Sequence, residues 1–146
     1  MADAGTLDPD AAREHLLTDR EVVVEGTLEC AERVASSWSG GWTTDREAVV
    51  EPLRAALSEA GLLGAYPSVL AECVAAAGGE LRAEPVPAPP YVTVTSRGPV
   101  LRATLDPDRL VVTLAVFGIE RGDDPGATRY VRGPTSPEAV VGVELR

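Results

Sequence analysis

The 146-residue sequence has no Lys, no Asn and no Gln, and it has a single His, a single Phe and two Cys. Each shortage excludes something. Cys30 and Cys73 are too few for a disulfide framework. They lack metal-ligand spacing, and each falls on or near an apolar helical stripe, where a small buried thiol is ordinary. His15 has no Gly-x-Ser-x-Gly partner and no neighbouring Cys, which argues against a catalytic triad or a Cys–His pair. Neither Asp106/Asp108 nor Asp123/Asp124 has the length or the terminal Glu of a calcium loop, so no metal is expected. No P-loop or dinucleotide fingerprint occurs, so no cofactor is expected. No segment approaches the ~20 apolar residues of a membrane span. The opening stretch MADAGTLDPD is acidic and has neither a basic n-region nor an apolar h-region, so no signal peptide is expected. A cytoplasmic location follows as the expectation.

What is present in excess is negative charge. There are 23 Asp and Glu against 13 basic residues, all Arg, for a net charge of −10. An acidic surface without lysine suits concentrated salt, because at ~1 M the Debye length is about 3 Å and carboxylate self-repulsion is screened. A GC-rich genome would also remove Lys, but it does less to explain the acid excess. Residues 1–73 hold 14 acidic residues and 5 Arg, whereas residues 74–146 hold 9 and 8. Nucleic-acid binding through phosphate neutralisation is therefore disfavoured.

The first half reads as helical. Asp8-Pro9 is a cap followed by a first-turn proline, opening a short helix to about residue 17. Thr18-Asp19-Arg20-Glu21 matches a capping box. It starts a second helix or bends a longer one, with apolar positions at helical spacing up to Trp38. Ser39-Gly40-Gly41 ends it, and Trp38 and Trp42 flank the turn, either covering a helix corner, the preferred reading, or clamping an aromatic ligand or a partner. Thr44-Asp45-Arg46-Glu47 is a second capping box. TDREVVVE (18–25) and TDREAVVE (44–51) differ at one position, as a reused helix start or a short repeat would. Pro52 interrupts the following helix or opens a new one, and Gly61 suits its end. Tyr66-Pro67-Ser68 reads as the start of a further helix, which Gly78-Gly79 stops. EPVPAPP (84–90) is a polyproline-like connector.

From Tyr91 the period becomes two. Strands are expected at 91–97, 100–105, 110–119, 129–132 and 139–146. A loop at 97–100 and a turn at 106–109 each put Val92, Val94, Leu101, Ala103, Leu105, Leu110, Val112 and Leu114 on one face. The expected pairings are Val92 with Leu105, Val94 with Ala103, Ala103 with Val112 and Leu101 with Leu114. The fold class is α+β: three or four N-terminal helices packed on one face of a four- or five-stranded antiparallel C-terminal sheet. It forms a single domain, with a helical half at about 8–79 and a sheet half at 91–146.

The second sheet face carries the candidate sites. Thr93, Thr95, Arg97, Arg102, Thr104 and Thr113 offer hydroxyls and guanidinium groups that could take a carboxylate or phosphate. An ordinary solvated face would also be rich in Thr. Within LVVTLAVFGI (110–119), the residues from Ala115 onward turn apolar on this otherwise polar face. Tyr91, Val111, Phe117, Ile119 and Tyr130 are thus a candidate partner surface if exposed, and core if a loop or strand covers them. AGLLGAYPSVLAECVAAAGG (60–79) and PPYVTVTSRGPVLRATL (89–105) resemble segments of small acidic proteins from halophilic archaea, grouped as a family of unknown function. That resemblance implies a cytoplasmic halophile protein and carries no activity or site residue. The leading functional expectation is a non-enzymatic binding or assembly module, self-associating or binding a protein partner through the second sheet face. The alternative is a small-ligand or anion-binding protein using the Thr/Arg zone, and an enzyme built on scattered carboxylates ranks behind both.

Overall fold

The computed structural model describes residues 6–105, 107–122 and 128–146. The expected turn residues Asp106, Asp123 and Asp124 lie outside them. Four helices come first: α1 (Pro9–Thr18), α2 (Glu21–Ser36), α3 (Glu47–Glu59) and α4 (Leu62–Ala76). Asp8 caps α1, its carboxylate accepting from the N–H groups of Asp10 and Ala11 at 3.1 and 3.2 Å. Thr18 does not cap α2. It is the last residue of α1, and its hydroxyl donates to Glu14 O at 2.8 Å, so the capping box is not formed. Ahead of α3 the Asp45 carboxylate, and not the Thr44 hydroxyl, accepts from Glu47 N–H, at 2.9 Å. Helix α4 begins at Leu62, four residues before the Tyr66 start expected from Pro67, directly after Gly61 turns left-handed at φ 77°.

Pro52 sits inside α3 and cannot donate to Ala48 O four residues earlier. The Trp38 indole N–H donates to that carbonyl instead, at 3.1 Å. The interior proline is thereby tolerated without an orphaned acceptor. Nearby, the Thr27 hydroxyl donates to Val23 O at 2.9 Å and accepts from the buried Tyr66 hydroxyl at 2.7 Å, which ties α2 to α4.

The strands form two antiparallel sheets where one was expected. β2 (Val92–Val94), β3 (Pro99–Thr104), β4 (Arg109–Leu114) and β7 (Val141–Leu145) make a four-stranded sheet in the order β2-β3-β4-β7. β1 (Trp42–Thr43), β5 (Phe117–Glu120) and β6 (Arg129–Arg132) make a second sheet in the order β1-β6-β5. The run at 110–119 is therefore broken. After Leu114 the chain folds back, with Val116 N–H donating to Leu114 O at 3.0 Å, and re-enters in the second sheet. Trp42, expected at a helix corner, instead pairs with Val131. A short α5 (Pro137–Val140) leads into β7.

The expected facing holds, but the register does not. Val92 pairs with Leu101 and Val94 with Pro99; Leu101 pairs with Val112 and Ala103 with Leu110. The shifts are even, so the buried face keeps Val92, Val94, Leu101, Ala103, Leu110, Val112 and Leu114. The cause is tighter turns. Thr95 and Gly98 exchange both hydrogen bonds, at 3.0 and 3.1 Å, around Ser96-Arg97. Gly98 adopts φ 140°, and a Cβ there would collide with Leu114 O. Pro99 thus becomes a strand residue, and the β3–β4 ladder ends at Val100–Thr113, just short of the residue with no N–H to give. Helices α1 and α4 lie on the inner face against β7 and β3, while α2 packs on β6.

Candidate functional site

The outer face of the four-stranded sheet is set by the register. One row runs Thr93, Val100, Thr113 and Gly142 across the strands, and the next runs Arg102, Val111 and Glu144. The proline connector does not run out as an extended spacer. It turns at Val86–Ala88 and again at Ala88–Tyr91, where hydrogen bonds of 2.8 and 3.0 Å close the turns, and comes down over this face.

Two adjoining cavities result. One, of about 430 Å³, is lined by Pro89, Pro90, Thr93, Thr95, Val100, Arg102, Val111, Thr113 and Arg146. The other, of about 230 Å³, is lined by Leu81, Arg82, Ala83, Pro90, Tyr91, Arg102 and Thr104. Arg102 belongs to both walls. Its Nε is buried without a hydrogen-bond partner. Among the described residues no Asp or Glu lines either cavity. Glu144 stands beyond Val111 in the same row and accepts from Arg146 Nε at 2.8 Å. In a chain of net charge −10, this is a locally cationic patch.

Of the candidate ligand residues, Thr93, Thr95, Arg102 and Thr113 thus share one cavity, and Thr104 joins Arg102 in the second. The Thr95 hydroxyl is already engaged, donating to Gly98 O at 2.7 Å and accepting from Arg97 N–H. Arg97 is exposed at the hairpin tip and lines neither cavity. Arg146 and the two prolines were not legible as site residues. Their only signal was the period-two pattern of the last strand and the density of prolines, and neither says which face they reach.

The candidate partner residues are placed differently from one another. Phe117 is 1% exposed and packs on the Trp38 ring, centroids 5.2 Å apart. Val111 is also 1% exposed, yet it lies outside the hydrophobic cluster between helices and sheet. Neither side chain is presented at the surface. For Phe117 the reason is the fold-back at Leu114–Val116, which changes its sheet and its parity. Tyr91, Ile119 and Tyr130 are half-buried, and Ile119 pairs with Tyr130 across the second sheet.

A second polar cluster joins α1, α2 and α4. Glu72 takes the Arg20 guanidinium in a two-pronged ion pair and His15 Nε2 at 2.8 Å, while His15 Nδ1 meets Asp19 at 3.0 Å. The Arg20 hydrogen bond, helped by His15, lowers the Glu72 carboxyl to about 2. Burial, reinforced by the Glu72 charge, pushes the neighbouring Cys73 thiol up to about 12. Cys73 is thus a protonated core thiol and not a nucleophile. Among the described residues no group of three or more His, Cys, Asp and Glu is placed to hold a metal ion.

The model of one protein family, described as a domain of unknown function (DUF7988), matches residues 10–146. The chain belongs to that family. No curated protein and no solved structure matches it. No helix among the described residues of this DUF7988 domain is long and apolar enough to cross a membrane.

Proposed function

We propose that this DUF7988 domain binds a small anion on the outer face of its four-stranded sheet, with Arg102 as the anchoring charge. The observation that carries this is the Arg102 guanidinium. It shares the walls of two cavities that no Asp or Glu among the described residues lines, and its Nε is buried without a partner. A buried donor left unpaired costs about 1–3 kcal/mol, more for a charged group, and an anion supplies the missing acceptor. Binding is favoured over self-association because two of the apolar side chains that association would use, Phe117 of the second sheet and Val111 of this face, are buried. The test is the melting temperature with acetate or inorganic phosphate in place of chloride at constant ionic strength. It should rise for the wild type and stay level for Arg102→Ala. An equal rise in both would assign the effect elsewhere.

We further infer a cytoplasmic setting at high salt, as in halophilic archaea. The acid-rich, lysine-free composition supports this. So do the two buried free thiols and the α2 surface, where Glu21 sits close enough to Glu25 to raise its carboxyl pKa.

A further inference from the structure

We propose that the larger Arg102 cavity takes a small organic monocarboxylate with an apolar body, an inference that rests on the anion-binding reading above. Charge matching sets the head group. Two guanidinium groups line the cavity, but Arg146 is already paired with Glu144. Of these two, only Arg102 has no acidic partner among the described residues, so one negative charge is balanced and a phosphate dianion is not. A guanidinium also meets a carboxylate as a planar two-pronged pair.

The lining sets the body. Pro89, Pro90, Val100 and Val111 make an apolar wall beside the arginine. Pro89, Pro90 and Val100 keep part of their surface open to the cavity, while Val111, 1% exposed, closes the wall from beneath. The volume of about 430 Å³ falls in the range of small-molecule sites and leaves most of the cavity to more than a carboxylate alone. Thr93 and Thr113 flank Val100 in the adjacent row and add neutral hydrogen-bonding groups.

Calorimetric titration with hexanoate, acetate and inorganic phosphate, at fixed ionic strength, tests this. Hexanoate should bind at least about tenfold tighter than acetate, since each buried methylene adds to affinity. Arg102→Ala should weaken hexanoate by about tenfold or more, with Arg102→Lys in between, because the lysine keeps the charge and loses the fork. Val100→Thr, at a partly open position of the apolar wall, should narrow the ratio of hexanoate to acetate while keeping acetate. In the wild type, hexanoate should shift the amide resonances of Thr93, Val111 and Thr113, a readout that needs no variant to fold. Phosphate binding through Arg102 with no preference for hexanoate over acetate would overturn the monocarboxylate class and leave the anion reading standing. No binding of any of the three would remove both. Hexanoate shifts elsewhere in the chain would overturn the site.

Discussion

Trp38 and Pro52 meet at one carbonyl, Ala48 O, and each explains the other. The proline removes the helical donor that this oxygen would have had, and the indole N–H replaces it at 3.1 Å. Trp38→Phe keeps much of the ring contact with Phe117 but orphans the acceptor. It should cost about 1–3 kcal/mol in chemical denaturation. In a Pro52→Ala background the penalty should shrink, because the restored N–H can reach Ala48 O; equal penalties in the two backgrounds would show that the hydrogen bond is not what the tryptophan contributes. None of this was legible beforehand. Trp38 and Pro52 could each be seen as unusual, but the contact between them depends on how α2 turns into α3.

The hairpin between β2 and β3 decides the register of the four-stranded sheet. Sequence periodicity placed the inward residues correctly, because any even shift leaves the same side chains buried. It could not place the pairings, since several loop lengths satisfy that parity. Gly98 selects among them: at φ 140° and pressed against Leu114 O, it closes the short turn from Thr95. Gly98→Ala should therefore destabilise by more than the ~1 kcal/mol of an ordinary glycine replacement, visible as a lowered denaturation midpoint. The polar tie between α1, α2 and α4 makes a prediction of its own. The Glu72 carboxyl is held at about 2, below its ordinary range, chiefly by Arg20. In the window between these values the unfolded chain binds the extra proton. The stability that Glu72 adds is present above the ordinary carboxylate range and is lost as pH falls towards about 2. Acid titration of the melting temperature should show this loss, and Glu72→Gln should flatten it. An unchanged acid profile in that variant would locate the acid sensitivity in other carboxylates.

For the whole molecule, the net charge of −10 is the dominant property. Screening of self-repulsion should raise the melting temperature between about 0.1 and about 3 M KCl, most of the gain arriving while the Debye length falls from ~10 to ~3 Å. A flat or falling profile would count against a high-salt protein. The amino-acid sequence by itself determined the class of fold, helices first and antiparallel strands after, because the hydrophobic period changes from helical to two and that period is a local property. It also determined which side of the first sheet is buried and that threonines and Arg102 share the other side. Only the tertiary structure decided that the run at 110–119 splits between two sheets, which turned Phe117 from a surface candidate into core. The cavity was decided the same way. Arg102, Arg146, Pro89 and Pro90 come from separate stretches of the chain, and their convergence depends on register, strand order and the path of a connector, none of which a local pattern encodes.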